Sequence, residues 1–195
     1  MDKTEFIIRP ATPEDAGGIL DIYAPFILNT TVTFETEVPS AEAFAQRIEK
    51  VTKNYPWIVC EHEGRIVGYA YSARHRERAA YGLSAELSVY VSPDYPRRGI
   101  GKTLCGEIIK ISRDIGICTI FSAISVPNEK SVALHRALGF QECGHFVRAG
   151  RKFNKWLDLA WFELILSDDP LPALLPPDEI LKAHFGKENK KTVLL

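Results

Sequence analysis

Cysteine is scarce and scattered: Cys60, Cys105, Cys118 and Cys143 form no CxxC pair and no Cys/His ligand spacing. That gives neither a zinc site nor a disulfide framework, so reduced thiols in a cytoplasmic protein without a metal are expected. Charge of one sign is missing too. The net charge is -1 at pH 7, which leaves no global attraction to nucleic acid or an anionic membrane. No apolar run approaches the roughly 20 residues that a membrane span needs. The opening MDKTEFIIRPATPED carries acids early and lacks the apolar core of a secretory signal. No internal repeat is visible.

What is present is ordinary globular usage, 46% hydrophobic and 25% charged over 195 residues, enough for one domain with a core. EFIIRPAT reads as a strand. Thr12 as N-cap and Pro13 at the first helical position then open a helix. Ser40 precedes a second helix, whose apolar positions Ala43, Phe44, Ile48 and Val51 recur at helical spacing. YPWIVCEHEG and RIVGYAYSARH read as strands joined at Glu63-Gly64. In AELSVYVS, Leu87, Val89 and Val91 share one face, and Glu86, Ser88 and Tyr90 the other. IGKTLCGEIIKISRDIG is a helix with Ile100, Leu104, Ile108 and Ile111 on its apolar stripe and Gly116 at its end. ICTIFSAIS is a strand, NEKSVALHRALG a helix closed by Gly139, and the stretch up to residue 166 a pair of strands around a basic loop. The pattern predicts a mixed α/β domain over residues 1–166. A proline-rich extension, 167–195, follows, either partly disordered or docked as a short helix at DEILKAHF.

The informative stretch is YVSPDYPRRGIGKTL, residues 90–104. A strand that passes through a glycine turn into a helix leaves the first helical amides unpaired, where helix polarity favours an anion. Gly99 and Gly101 keep side chains out of a phosphate's path, and Arg97, Arg98 and Lys102 add positive charge. The lysine spacing does not fit GxxxxGK[ST], and no GxGxxG is present, so neither a Walker loop nor a dinucleotide turn is indicated.

YVSPDYPRRGIGKTL followed by ISVPNEKSVALHRALGF resembles the acetyl-CoA-binding core of the Gcn5-related N-acetyltransferases (GNAT), with the element order agreeing over roughly residues 6–166. RERAAYGLSAELSVYVS and GRKFNKWLDL are similar to the phosphinothricin and methionine sulfoximine N-acetyltransferase branch. One position departs: Pro96 stands where the family's turn carries glutamine or arginine, and proline donates nothing there.

The resemblance implies a GNAT fold, with a mixed central sheet flanked by helices and splayed central parallel strands. It implies acetyl-CoA as cosubstrate, held by the strand residues Val89, Tyr90 and Val91, the turn residues Arg97, Arg98, Gly99, Ile100, Gly101 and Lys102, and Asn128. Glu86 falls at the family's base, which must free the amine because an ammonium has no lone pair for attack. His135 falls at the acid that meets the departing thiolate. The acceptor implied is a small amino acid analogue with a carboxylate and a second anionic or polar group. Arginine forks suit such oxygens, and the nearby basic residues are Arg74, Arg76 and Arg78, with Arg148, Arg151 and Lys152 later in the chain. Substrate contacts are assigned to Phe34, Arg76, Arg78, Tyr81 and Lys152, with Trp156 as a further wall and Asp158 holding the basic loop through Lys152. The alternatives are transfer to another small amine or amino acid, and a non-catalytic acetyl-CoA sensor. The implied partners are the small amine and a second copy of the chain in a homodimer, with neither nucleic acid nor membrane.

Overall fold

The computed structural model describes residues 4–171 and 173–195. In chain order its elements are β1 (Glu5–Pro10), α1 (Ala16–Asn29), α2 (Ala41–Thr52), β2 (Trp57–His62), β3 (Arg65–Arg74), β4 (Ser84–Val91), α3 (Ile100–Ile115), β5 (Thr119–Val126), α4 (Glu129–Ala137), β6 (Gln141–Lys152), β7 (Lys155–Ile165), α5 (Pro177–Phe185) and β8 (Lys191–Leu194). Among the described residues, eight strands make one sheet in the order β6-β7-β5-β4-β3-β2-β1-β8. Every neighbouring pair is antiparallel except β4 with β5.

Local chemistry places the ends of these elements. The Asp15 carboxylate accepts the Thr12 backbone N–H at 2.8 Å and the Arg9 guanidinium at 2.7 Å, which ties the entry of α1 to β1. Ser40 Oγ caps α2 by accepting from the Ala43 N–H at 3.1 Å. Phe44 and Ile48 are buried as the spacing predicts, whereas Ala43 faces out. The β2–β3 turn has Glu63 and Gly64 at φ 49° and 75°, the paired left-handed geometry whose twist matches a two-residue hairpin.

The core lies on both faces of the sheet. Ile58 and Cys60 of β2 face the layer built by α3 and α5, while Trp57 and Val59 face the layer of α1 and α2. All four are fully buried, and burying each large apolar side chain contributes about 1.5–3 kcal/mol. On α3 the predicted stripe Ile100, Leu104, Ile108 and Ile111 packs entirely inside.

Two expectations change. The residues read as a basic loop, Arg148, Arg151 and Lys152, lie on β6 itself; the connection to β7 is the tight turn at Phe153 and Asn154, at φ 49° and 60°. The C-terminal segment carries the docked helix but also β8, which pairs antiparallel with β1 from Glu5↔Leu194 to Ile8↔Lys191. Lys191 Nζ donates to Glu107 of α3 at 2.7 Å, and His184 of α5 bonds the other oxygen of the same carboxylate.

Candidate active site

The site begins where two parallel strands stop pairing. β4 and β5 are in register at Ser84↔Thr119, Ala85↔Ile120 and Glu86↔Phe121, yet β4 continues to Val91 and β5 to Val126. β4 stays paired with β3 as far as Val91, and β5 with β7 as far as Val126, so each strand keeps one bonded edge and turns an unpaired edge to the gap. Ser122 Oγ closes the inner end by donating to the Leu87 carbonyl at 3.1 Å. Beyond it a narrow cavity of about 50 Å³ runs between Val89, Tyr90, Ser125, Asn128, Ser131 and His135.

At the mouth of the gap lies the glycine turn. Gly99 sits at the N-cap of α3 with φ 80°, and no side chain caps that helix and no acid stands in its first turn. The first amides of α3 are therefore free for an external anion. By contrast, α2 and α4 have their caps filled from within by Ser40 and Asn128. Arg97, with φ 57°, Arg98 and Lys102 are exposed beside the turn. Arg98 donates to Thr4 Oγ1 at 3.1 Å. The Ile100 side chain is in the core, so that residue can offer a ligand only its backbone. Asn128 Oδ1 accepts the Ser131 N–H at 3.2 Å as the N-cap of α4, which leaves its NH₂ as the free donor.

Two buried polar atoms in the gap have no partner: Ser125 Oγ and His135 Nε2. Unpartnered buried polar groups cost about 1–3 kcal/mol each, and here they flank unpaired strand edges. A thin ligand carrying amides satisfies all of them, so the donors and acceptors of this gap fit a pantetheine arm.

His135, expected as the acid, is held by its other ring nitrogen. Its Nδ1–H donates to the Ser131 carbonyl at 2.8 Å, which fixes the neutral tautomer with a bare Nε2. Burial also pushes its pKa down, against that hydrogen bond. In that tautomer the ring turns its Nε2 lone pair to the gap.

Glu86 projects from β4 on the opposite face from Leu87, as the alternation requires, and lines a second cavity of about 440 Å³. Its Oε1 is 2.8 Å from Nδ1 of His75. Burial raises the Glu86 pKa, and the hydrogen bond and charge of His75 and the charge of Arg76 only partly offset it. Phe34 and Arg76, expected as substrate contacts, line this cavity with Glu86, and so does Tyr90, expected at the cofactor. Phe34 belongs to the 30–40 segment, which is pinned from several sides. Tyr23 shares a 2.7 Å hydrogen bond with Thr33, Arg47 pairs with Glu35 at 2.7 Å, and the Phe34 ring lies on Gly150. A Cβ at Gly150 would stand 2.5 Å from Phe34 Cε2, so only glycine admits that contact.

Other assignments are corrected by their surroundings. Lys152 is 5% exposed and its Nζ donates to the Thr33 carbonyl at 2.9 Å, so it clamps the wall of the cavity instead of facing a substrate; burial lowers its pKa. Arg78 and Tyr81 do not line the cavity, although Tyr81 meets the His75 ring edge-on at 5.6 Å. Trp156 is 57% exposed on the β6–β7 hairpin. Asp158 holds β6 by accepting from the Arg148 N–H at 2.8 Å and from His145 at 3.0 Å, not from Lys152. The sequence reading missed His75, Ser125 and Trp161, which also line the cavities. His75 hides in the charged run ARHRERAAY, where only the β3–β4 register, Arg74↔Ala85, brings it to Glu86.

A parallel pair that parts beside an uncapped glycine-turn helix, with a carboxylate at the parting, defines an acyl-CoA-type transferase fold. Residues 8–161 match the family model for the acetyltransferase (GNAT) domain, and the chain belongs to that family. It is 36% identical over 170 residues to the phosphinothricin N-acetyltransferase of Streptomyces viridochromogenes, covering 87% of this chain and 90% of that one. It is 35% identical over 161 residues to an L-methionine sulfoximine/L-methionine sulfone acetyltransferase of Pseudomonas aeruginosa, covering 82% and 94%. The crystal structure of a GNAT superfamily phosphinothricin acetyltransferase from Sinorhizobium meliloti in complex with AcCoA superposes with a TM-score of 0.83 at 34% identity, over 91% of this chain and 97% of that one.

Proposed function

We propose that the protein transfers the acetyl group of acetyl-CoA to the amino group of a small amino acid analogue such as phosphinothricin or methionine sulfoximine. The observation that carries this is the joining of the two cavities: Val32, Tyr90, Ala123 and Ser125 wall both the strand gap and the space beside Glu86. A ligand in the gap and an amine beside Glu86 would meet across those four residues.

Acetyl-CoA, when bound, supplies the thioester carbon that the amine attacks. The free amides at the start of α3, with Arg97 and Lys102, would hold its diphosphate, and the unpaired edge of β4 from Leu87 onward would hold its pantetheine arm. Glu86 takes a proton from the ammonium; its raised pKa brings it nearer neutral pH, where a general base is most effective. His135 offers Nε2 as an acceptor to a thiol or amide hydrogen. Arg76, which lines the cavity with Phe34 and Trp161, pairs with the acceptor's carboxylate. Four unpaired thiols suit a reducing compartment, and the reading places the enzyme in the cytoplasm.

The same reading includes a homodimer. β6 is an edge strand, and Phe146, Val147, Phe153 and Trp156 on its hairpin are exposed, an apolar face that a second copy would cover.

Thiol release from acetyl-CoA, measured with phosphinothricin, methionine sulfoximine, methionine sulfone and ordinary amino acids, tests the proposal. Release dependent on one of the first three acceptors is expected. Acetyl-CoA binding without turnover on any amine would reject it.

A further inference from the structure

The His75 ring is closely packed beside Glu86. Its side chain is 9% exposed against 33% for Glu86. It stacks on Phe121 at 4.4 Å and takes the edges of Tyr81 and Trp161 at 5.6 Å each. Rings on three sides leave the imidazole little freedom to turn, and the orientation they impose aims Nδ1 at Glu86 Oε1 at 2.8 Å. An ionised carboxylate only accepts, so Nδ1 carries the hydrogen in this pair.

We propose that His75 is a positioning residue for acetyl transfer: its Nδ1–H holds Oε1 of Glu86, keeps the carboxylate ionised and leaves Oε2 to meet the amine. This rests on the acetyltransferase reading. In the step concerned, one N–H bond of the substrate ammonium breaks and Oε2–H forms, while the electron pair stays on nitrogen for attack. The proton then passes to water through the open side of the pocket. Without the donor, burial acts on the carboxylate with less opposition, and a larger fraction of Glu86 is protonated at a given pH. The other titratable or charged groups facing the pair are Arg76 on the same connection, Tyr71 of β3, Tyr81, and Cys143 of β6 across the neighbouring cavity.

The test compares His75→Phe, which keeps a ring on Phe121, with His75→Asn, whose amide restores a donor near the Nδ1 position. The pH profile of kcat/KM is read on the acceptor that the wild type turns over best. In His75→Phe the acidic limb moves up by about one pH unit, the shift that loss of a hydrogen bond to a charged group implies. In His75→Asn it returns toward the wild-type position, and the KM for acetyl-CoA is unchanged in both. Nitrogen-15 spectra of the wild type give a second readout independent of turnover, with the His75 hydrogen expected on Nδ1. An unmoved limb in His75→Phe, or the hydrogen found on Nε2, overturns the inference while the acetyltransferase reading stands. Absence of turnover on any amine by the wild type removes the reading and the inference together.

Discussion

Lys152 and Thr33, 119 positions apart in sequence, are joined by a 2.9 Å hydrogen bond from a buried ammonium to a backbone carbonyl. The bond fastens the 30–40 segment, and with it Val32 and Phe34, to the edge of the sheet. Lys152→Met would keep the buried stem and remove the donor, leaving the carbonyl unpaired at about 1–3 kcal/mol. The expected result is a rise in the acceptor KM of about tenfold, equivalent to ~1.4 kcal/mol, with the acetyl-CoA KM unchanged. Steady-state kinetics with each substrate varied in turn checks it; a change confined to acetyl-CoA would refute the clamp.

Gly99 bears on the other substrate. Its φ of 80° costs a residue with a Cβ about 1–2 kcal/mol, and it precedes the amides assigned to the diphosphate. Gly99→Ala is predicted to weaken acetyl-CoA binding by about tenfold or more with the acceptor KM little altered, as read by calorimetric titration.

The Glu107 cluster governs how firmly the C-terminal segment is held. Burial raises the pKa of this carboxylate, but the hydrogen bonds and charges of Lys191 and His184 outweigh burial and hold it below the ordinary glutamate value. A carboxyl whose folded pKa is depressed stabilises the fold above its unfolded pKa, and that contribution is lost as pH falls through the folded value. Glu107→Gln should therefore melt about 3 °C or more below the wild type at pH 7. The two melting curves should converge below about pH 4. Scanning calorimetry across that range decides; a constant gap down to low pH would show that the pair contributes by packing alone.

Much of this architecture was legible in the chain, because the period-2 and period-3.6 patterns of β1–β5 and α2–α3 are strong and glycines punctuate them. The turn at Gly99 was legible for the same reason. What escaped was set by long-range placement. β8 is four residues long, and its partner β1 lies at the other end of the chain. Lys152 reads as a substrate contact, and only the fold brings the Thr33 carbonyl to it. For His135, sequence cannot show that the Ser131 carbonyl takes its Nδ1 hydrogen and leaves Nε2 to face the gap.

The most direct test of the account is Glu86→Gln, with acetyl-CoA binding and turnover measured on the same preparation. The predicted result is binding within about twofold of the wild type and a kcat lower by roughly 10²–10⁴, the usual contribution of a general base. Turnover at the wild-type rate in Glu86→Gln would contradict it, because the proton would then be leaving the amine without the carboxylate that the gap and the cavity bring to it.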